Sequence, residues 1–280
     1  MSDTVPGPLV AVILVAYGGR DDTVACIKSI QKSDYPNFRI ILIDNDSPDD
    51  TSQFVRGTFP DVILVVSEKN LGFAGGNNLG IDKALELNAD CIFLLNNDTE
   101  IAPDTIRKLV ESAGKSEKLG AIGPKIYYFE KKDTIWSAGG IIDFRWSNLY
   151  HRGIRKSDSA EYNVKREVDY LTGCALMFPS KIVKEIGKLD ESFWMYYEDA
   201  DFCMKLKRAG YSIIFEPESQ VWHKVSSSTG GNLSLRKMWM KFKSGYVFFQ
   251  RYSTSPFWFL TYPVSQKFAF LKALFKIDKG

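Results

Sequence analysis

The first candidate for chemistry is the stretch FWMYYEDADFCMKLKRAGY, residues 193–211, in which aromatic side chains directly precede three carboxylates. Apolar residues at helical spacing and a stop at Gly210 predict a short helix whose first turn carries these acids. Acids in a first turn complement the helix dipole, and this explanation is favoured for Asp201. Trp194 and Tyr197, where the chain enters the helix, could instead wall a pocket of low polarity that tunes a carboxylate.

A second candidate is LLNND, in which Asp98 follows an apolar run. With Asn96 two residues earlier on the same face, Asp98 could hold a divalent cation through oxygen atoms and leave positions open for phosphate. An Asx turn explains the same residues equally well. Of the two histidines, His223 is predicted from its neighbours to be a packed side chain rather than a metal ligand, and His151 is assigned no role.

Two polar loops follow other apolar runs. The loop NLGFAGGNNLG, residues 70–80, has glycines that could open a helix toward a phosphate. Their spacing matches neither the dinucleotide-binding motif nor the P-loop, so a tight turn is the alternative. In LIDNDS, Asp44 could accept hydrogen bonds from a nucleoside, whereas the acids from Asp46 to Asp50 suit a helix-capping network. Asp44 lies too early in the chain to cap the helix predicted near Thr51.

These residues lie at the ends of predicted elements. Apolar runs predict buried parallel strands, and the patterns between them predict helices. The predicted strands cover residues 9–17, 39–45, 62–68 and 91–98, and the predicted helices cover residues 23–32, 51–59 and 77–88. This alternation predicts an α/β fold with a Rossmann-like, open, mostly parallel sheet flanked by helices. Its ligand crevice is expected at the carboxyl ends of the strands.

The pattern changes from about Gly120 to longer extended segments. We expect a second half with a mixed sheet that covers the crevice. The segment KVSSSTGGNLS, residues 224–234, is predicted to be a flexible connector that orders over bound ligand and excludes water. It ends a domain of residues 1–234, whose halves cover about 9–120 and 121–234.

The remaining tail, residues 235–280, carries nine Lys or Arg residues against one Asp, and 13 of the 38 aromatic residues of the chain. Its net charge is therefore +8, although the whole chain has a net charge of +2. Such a composition suits a surface that rests on anionic lipid headgroups. A pair of helices packed on the domain explains it equally well. Nucleic acid is disfavoured as a partner, because no recognised motif accompanies the charge.

The composition is that of an ordinary folded protein: 45% of the 280 residues are hydrophobic, enough for a large core. The four cysteines are widely spread without a C-x-x-C pair, which argues against a zinc site and a secreted disulfide scaffold. The N-terminus has neither a basic leader nor an apolar run long enough to span a bilayer. We therefore expect a cytoplasmic setting, and the oligomeric state stays open.

Seven ordered blocks between residues 10 and 223 resemble the inverting family 2 glycosyltransferases of the GT-A fold, especially their rhamnosyltransferase-like branch. The blocks are VAVILVAYGG, ILIDNDSPDD, NLGFAGGNNLGI, FLLNNDTEI, GPKI, DYLTGCALMF and LDESFWMYYEDADFCMKLKRAGY. The resemblance implies a GT-A fold for the domain, with the nucleotide in the first half and the acceptor in the second, followed by a helical tail.

The resemblance also implies a role for each matched position. The nucleotide-sugar donor, a UDP- or dTDP-sugar, is expected at Tyr17, Asp44, Asn70, Gly75, Gly76, Asn77, Asn78 and Asn97. A divalent cation, Mn²⁺ or Mg²⁺, is expected at Asp98, His223 and Asn96. Asn96 stands where the family usually has an acid, which leaves its direct coordination open. Asp199 resembles the catalytic base of the family, with Glu198 as its neighbour. The acceptor is expected at Trp194, Tyr197, Thr172 and Gly173.

The implied function is inverting, metal-dependent transfer of a hexose or deoxyhexose, rhamnose for example, to a hydroxyl of a cell-surface glycan or lipid-linked acceptor. A peripheral location on the inner face of the cell membrane would suit it. The alternative is a non-catalytic protein of the same fold that binds a nucleotide sugar or glycan. A nucleotide-dependent oxidoreductase is disfavoured, because the dinucleotide-binding motif is missing.

Overall fold

The computed structural model describes residues 7–225 and 235–274, and in the last two helices the side chains of residues 238–266. Most of the predicted connector, residues 226–234, lies outside the described residues. The strands are β1 (Val10–Ala16), β2 (Phe38–Asp44), β3 (Ile63–Val66), β4 (Cys91–Asn96), β5 (Thr99–Ile101), β6 (Leu119–Tyr128), β7 (Ile135–Ser137), β8 (Gly140–Asp143), β9 (Asn148–His151), β10 (Arg166–Glu167), β11 (Ala175–Pro179) and β12 (Ser212–His223). The helices are α1 (Arg20–Gln31), α2 (Thr51–Thr58), α3 (Gly72–Glu86), α4 (Thr105–Ala113), α5 (Lys181–Ile186), α6 (Glu198–Arg208), α7 (Leu235–Tyr252) and α8 (Trp258–Leu274).

A ten-stranded sheet forms the centre of the molecule, with the order β10-β12-β6-β11-β4-β1-β2-β3 along its main path. β3, β2, β1 and β4 are parallel, as are β6 and β12, while β11 runs antiparallel between β4 and β6. β5 pairs with β12 and β7 with β6, and β8 and β9 form a separate hairpin sheet. The expected mostly parallel first half and mixed second half are both present.

Helices cover both faces of this sheet. α1, α2 and α4 bury apolar side chains against one face, in a cluster that includes Ile27, Val55 and Leu109. α3, α5 and α6 pack on the other face, where Ile81 and Phe202 are fully buried. The strands between the two layers are apolar on both sides, as expected for a buried parallel sheet.

The largest difference from the predicted elements is the start of α3. The helix was predicted from residue 77, but it begins at Gly72. Gly72 has a φ of +71°, which favours glycine, and the next N–H, that of Phe73, donates a hydrogen bond to the Trp194 carbonyl at 2.9 Å. A contact with a segment far away in the chain therefore sets the first turn of this helix.

The basic tail packs on the domain through α7 and α8. Phe248, Phe249 and Tyr262 are fully buried in the same core cluster as α6. Asp201 anchors α7, because its buried carboxylate accepts a hydrogen bond from Arg251 at 2.6 Å and from the Tyr252 hydroxyl at 2.8 Å. The explanation of Asp201 as a first-turn charge alone is therefore incomplete.

The outer surface of α7 and α8 is nevertheless apolar. Side chains that are half or more exposed there are Trp239, Phe257, Phe259 and Leu260. We call these four residues the outer aromatic face. Within the described residues, no helix combines the length and the hydropathy needed to cross a bilayer.

Candidate functional site

A cavity of about 1420 Å³ opens where the carboxyl ends of β1 and β4 face α6 and α7. It is larger than most small-molecule sites, which hold about 300–1000 Å³, so two substrates fit together. Most of the residues predicted for function line it: Tyr17, Asn70, Asn77, Asn96, Asn97, Asp98, Thr172, Gly173, Trp194, Tyr197, Glu198, Asp199 and His223.

Pairing of two short strands brings Asp98 and His223 together. β5 runs antiparallel to the end of β12, with Thr99 opposite His223, so the residue before β5 lies beside the last residue of β12. The Nε2 atom of His223 is 3.1 Å from Oδ1 of Asp98, and both side chains are buried. Residues 125 positions apart in the chain thus form one charged pair at the cavity.

The charges of this pair reinforce each other. Burial raises the pKa of Asp98, but the hydrogen bond and charge of His223 outweigh it and hold the pKa below its usual value. Burial lowers the pKa of His223, but Cys174 and Asp98 beside it outweigh burial and raise that pKa to about 10. Aspartate and imidazolium are therefore the stable forms at neutral pH.

The same pair fits a divalent cation in one respect. Oδ1 of Asp98 and Nδ1 of His223 are buried and receive no well-aligned hydrogen bond from the residues described. Buried polar atoms without partners are rare, and oxygen and imidazole nitrogen are ordinary metal ligands. No group of three or more His, Cys, Asp or Glu side chains suited to a metal occurs among the described residues. A cation held here would need its further ligands from a substrate or water.

Asp199 is held by backbone N–H groups in the first turn of α6. Its Oδ2 accepts a hydrogen bond from Gly173 N–H at 3.0 Å, and its Oδ1 accepts one from Ala200 N–H at 2.7 Å. Burial raises the pKa of Asp199 above its usual value, although these hydrogen bonds act in the opposite direction. A fixed carboxylate with a raised pKa, facing a cavity, is suited to accept a proton.

Glu198 lies next to it and is more deeply buried. Burial, and then the charge of Asp199, raise the pKa of Glu198 well above its usual range. Its Oε2 is buried with no hydrogen-bond partner among the residues described. The environment of Glu198 therefore disfavours its charged form more strongly than the environment of Asp199 does.

Two tyrosines orient this carboxylate pair. Tyr196 and Tyr197 both have φ values of +71°, a left-handed conformation that side chains other than glycine rarely adopt. The ring of Tyr197 packs against Phe248 of α7, with ring centroids 5.4 Å apart. This double left-handed turn directs the chain into α6, so that Glu198 and Asp199 face the cavity.

The segment before β11 joins the two ends of the cavity. Gly173 N–H binds Asp199, and the carbonyl of the next residue, Cys174, accepts a hydrogen bond from Asn96 N–H at 2.9 Å. Asn96 ends β4, two residues before Asp98. The predicted base and the predicted metal ligand are thus connected through one short piece of backbone.

An amide network joins the nucleotide half to the aromatic segment. The Asn45 side chain donates to the Gly72 carbonyl at 3.0 Å and to Oδ1 of Asn70 at 3.3 Å, and it accepts from Leu71 N–H at 2.9 Å. Asn45 was not predicted to have a role. Its position directly after a buried strand was the available signal.

Four predicted nucleotide contacts do not line the cavity. Asp44 is buried and accepts hydrogen bonds from Ser47 N–H at 2.8 Å and from the Ser52 hydroxyl. It therefore contacts the first turn of α2 through the Ser52 hydroxyl, but it does not cap that helix, whose N-cap residue is Asp50. Gly75 and Gly76 lie inside α3 and not in a loop, because the helix begins at Gly72.

Asn78 is the fourth of these residues. Its amide donates to the Leu189 carbonyl at 2.9 Å and to Glu191 at 2.8 Å, and its Oδ1 accepts from Leu189 N–H at 3.1 Å. It therefore links α3 to the segment before α6.

Gly76 lets α3 approach the sheet, since a Cβ atom there would lie 2.7 Å from the Val15 side chain.

Part of the opposite wall consists of residues for which no role was predicted. Trp136, His151 and Lys241 all line the cavity. The Trp136 ring lies between two imidazoles, with centroid distances of 4.5 Å to His151 and 4.6 Å to His223. Nothing in the local sequence signalled these contacts, because they depend on how the β7–β9 region and α7 fold back over the cavity.

Comparison with protein families gives a match over most of the chain. A family model described as glycosyl transferase family 2 matches residues 11–187. The chain is 28% identical over 213 residues to the low-salt glycan biosynthesis hexosyltransferase Agl10 of Haloferax volcanii. That match covers 72% of this chain and 63% of the relative, so the chain spans less than two thirds of that protein.

A second relative is matched over more of its length. The N-acetylglucosaminyl-diphospho-decaprenol L-rhamnosyltransferase of Mycobacterium tuberculosis is 25% identical over 248 residues, which are 82% of this chain and 79% of that protein.

Two solved structures share the fold. GalNAc-T7 with UDP, GalNAc and Mn²⁺ superposes with a TM-score of 0.69 at 18% identity, covering 89% of this chain and 48% of the other. The mannosyltransferase PcManGT of Pyrobaculum calidifontis with GDP-Man and Mn²⁺ has a TM-score of 0.62 at 16% identity, covering 99% and 79%.

Proposed function

The chain belongs to glycosyl transferase family 2, and on that premise we propose that it transfers a sugar from a nucleotide-diphosphate donor to an acceptor hydroxyl, with inversion at the anomeric carbon. The observation that carries the proposal is the arrangement of one cavity. A fixed carboxylate of raised pKa, Asp199, and a buried Asp98–His223 pair line the same space and are joined through Gly173 and Cys174.

In this proposal Asp199 is the general base. The acceptor hydroxyl gives its proton to the carboxylate while its oxygen attacks the anomeric carbon, and the bond to the diphosphate oxygen breaks. A single displacement needs one base and no carboxylate nucleophile. The burial of Glu198 beside it disfavours a second negative charge there, so Asp199 is the proposed acceptor of the proton.

Asp98 and His223 would hold a divalent cation, with Asn96 as a further oxygen ligand. Oδ1 of Asp98 and Nε2 of His223, an oxygen and an imidazole nitrogen 3.1 Å apart at the cavity, support this assignment. A bound cation supplies positive charge that stabilises the departing diphosphate. The two structural neighbours, GalNAc-T7 with UDP and PcManGT with GDP-Man, both contain Mn²⁺, which favours Mn²⁺ here.

The donor and acceptor would occupy opposite ends of the cavity. Tyr17, Asn70, Asn77 and Asn97 line the cavity and would contact the donor. Trp194, Tyr197 and Thr172 line the same cavity and would contact the acceptor sugar. By analogy with the mycobacterial relative, whose name specifies a diphospho-decaprenol acceptor, we propose a lipid-linked or cell-surface glycan acceptor. A uridine or thymidine donor and a rhamnosyl or other hexosyl group belong to the same proposal.

The main test is Asp199→Asn. Loss of the base should lower sugar transfer by about 10²- to 10⁴-fold. Donor binding should be retained, because Asp199 lies at the acceptor end of the cavity. The measurement is product formation from a panel of UDP- and dTDP-sugars with Mn²⁺, beside calorimetric donor binding.

Asp82→Asn serves as the matched control, because Asp82 is an exposed carboxylate paired with Lys188 and lies outside the cavity. The control should transfer sugar at the wild-type rate. Equal activity of Asp199→Asn and wild type would remove Asp199 from this role. Donor binding by the wild type without transfer or hydrolysis of any donor would favour a non-catalytic binding protein.

The outer aromatic face suggests where the protein acts in the cell. Its apolar side chains lie on the tail that carries nine basic residues against one acid. We propose that this face rests on an anionic membrane surface at the cytoplasmic side, where a lipid-linked acceptor is found.

A further inference from the structure

Lys241 is a cation of α7 whose side chain lines the cavity. Met238 and Met240 line the cavity beside it, so the first half of α7 forms part of the wall. The helix is fixed in this place, because Phe248 and Phe249 are buried and Arg251 pairs with Asp201. Lys241 is therefore held at the cavity by the packing of its own helix.

Among the described residues, no carboxylate lies within ion-pair distance of the Lys241 ammonium. Lys125 and Lys224 each have such a partner: Lys125 binds Asp158 at 2.9 Å and Lys224 binds Asp22 at 2.9 Å. Lys241 is exposed to solvent and also lines the cavity, so its ammonium can pair with an anionic ligand that enters there.

His151 provides a second polar group on the same wall. Its Nδ1 is buried and has no hydrogen-bond partner among the residues described. Burial, then Lys241 and His223, lower the pKa of His151 to about 3, so the ring is neutral. One ring nitrogen of a neutral imidazole carries hydrogen and can donate to an oxyanion.

The position of His151 relative to the candidate metal site is also defined. The Trp136 ring contacts both His151 and His223, with centroid distances of 4.5 Å and 4.6 Å. His151 thus lies one aromatic ring away from the Asp98–His223 pair, and Lys241 lines the same cavity. A ligand with two phosphoryl groups, or two ligands that meet in the cavity, could bring a phosphate oxygen to this wall.

We propose that Lys241 and His151 form a binding subsite for a phosphate group of a substrate. This subsite rests on the proposed function only for the identity of the ligand. The phosphate could belong to the donor diphosphate, or to the phosphate that joins an acceptor sugar to its lipid carrier. Both sources share the chemistry, an oxyanion that receives a charge-assisted hydrogen bond from the ammonium and a neutral one from the imidazole.

The test uses Lys241→Met and Lys241→Gln, which remove the charge, and Lys241→Arg, which keeps it. Lys243→Met is the matched control, because Lys243 is an exposed lysine of the same helix outside the cavity. Inorganic diphosphate is the first probe, titrated calorimetrically into the full chain with Mn²⁺. The two neutral variants should bind it at least tenfold more weakly than wild type, and the control should bind it equally. The arginine variant should fall between wild type and the neutral variants.

Two further arms separate the sources of the phosphate. If the donor supplies it, the neutral variants lose affinity for UDP but not for UMP. If the acceptor supplies it, their KM rises for a sugar on a lipid diphosphate and stays unchanged for the same sugar as an alkyl glycoside. Diphosphate binding does not require turnover, so this result stands even if no donor is transferred. Wild-type affinity of both folded neutral variants for diphosphate and both substrates would overturn the proposal.

Discussion

At the scale of single residues, Asp199 balances two opposing effects. Two backbone N–H groups and the first turn of α6 favour its charged form, whereas burial favours the protonated form and dominates. A carboxylate in this state is a stronger base than an exposed aspartate. The hydrogen bonds fix its direction, and burial sets its basicity.

This balance predicts the pH dependence of transfer. The pKa of Asp199 lies above 3.8, its usual value, so the base becomes protonated at a higher pH than an exposed aspartate would. We expect kcat/KM to fall as the pH is lowered, with an apparent pKa above 3.8 for this acid limb. Initial rates should be measured with saturating Mn²⁺, so that proton competition at His223 does not contribute. If the residual activity of Asp199→Asn falls over the same acidic pH range as that of wild type, a group other than Asp199 causes the fall.

A second prediction at this scale concerns Asp98 and metal binding. Residues that only hydrogen-bond to a metal ligand typically change metal affinity by about 10- to 100-fold when they are mutated. Removal of a residue that itself binds the metal should lower the affinity by at least as much. Asp98→Ala and His223→Ala should each weaken Mn²⁺ binding in the presence of UDP by at least about tenfold. The measurement is a Mn²⁺ titration followed by electron paramagnetic resonance. Asp34→Ala, an exposed acid that pairs with Arg107, should bind Mn²⁺ as wild type does.

Wild-type Mn²⁺ affinity in both Asp98→Ala and His223→Ala would place the cation elsewhere.

A bound cation and the His223 proton compete for the imidazole. Because the pKa of this histidine is raised to about 10, metal binding near neutral pH should release a proton. The heat of binding should therefore depend on the ionisation enthalpy of the buffer.

The residues that could be identified from sequence share a simple property. Asp98 follows an apolar run that predicted a strand, and Asp199 lies in the first turn of a helix predicted from its spacing and its stop. The role of His223 came only from the resemblance, because its neighbours predicted a packed side chain. Lys241 and His151 could not be identified, because each is brought to the cavity by packing between distant segments. Asn45 lies at a strand end but was passed over, since its role comes from contacts with Asn70 and Gly72.

At the scale of elements, the start of α3 shows where local propensity fails. Gly72, Gly75 and Gly76 lower the helix propensity of this segment, which is why the helix was predicted to begin at residue 77. The structure uses them for close contact instead: a Cβ atom on Gly72 would lie 2.4 Å from the Trp194 carbonyl oxygen. The strands were predicted more accurately, because their apolar runs reflect burial on both faces.

Gly72→Ala should therefore destabilise the protein. The substitution combines a left-handed φ of +71° with a backbone contact that is too short, so we expect a loss of about 2 kcal/mol or more. The measurement is urea unfolding. Gly57→Ala in α2 is the matched control, because nothing lies within 4 Å of a Cβ atom there. The control should be unchanged or more stable by up to about 1 kcal/mol.

Equal unfolding free energies for Gly72→Ala and Gly57→Ala would contradict the close contact between α3 and the Trp194 segment. If Gly72→Ala lowers the free energy of unfolding only slightly but strongly reduces sugar transfer, the contact chiefly positions Trp194 at the cavity.

At the scale of the whole molecule, the tail has two faces with different partners. Its inner face completes the core through Phe248, Phe249 and Tyr262, which agrees with a packed pair of helices. Its outer aromatic face is covered by nothing within the described residues, which leaves the membrane hypothesis in place for that face only. The composition of the tail could not distinguish a packed pair of helices from a membrane-binding surface, because aromatic residues lie on both faces.

The membrane hypothesis is tested by substituting the outer face alone. The triple variant Trp239→Ser, Phe257→Ser, Phe259→Ser should lose most of its co-sedimentation with vesicles of phosphatidylglycerol and phosphatidylcholine. Its melting temperature should stay near that of wild type, because these side chains are exposed. Phe54→Ser with Val66→Ser is the control, since both are exposed apolar residues on other elements. Equal sedimentation of all three proteins would leave the outer face without a lipid role.

The double left-handed turn at Tyr196 and Tyr197 has a consequence for engineering this protein. Each residue in such a conformation costs about 1–3 kcal/mol, and glycine adopts it without that cost. At Tyr197, however, glycine would also remove a buried ring that contacts Phe248, and the loss of a buried aromatic side chain costs about 3–5 kcal/mol. The packed ring therefore outweighs the strain of the backbone that carries it. Substitution of Tyr197 by glycine should consequently lower heat resistance and turnover together.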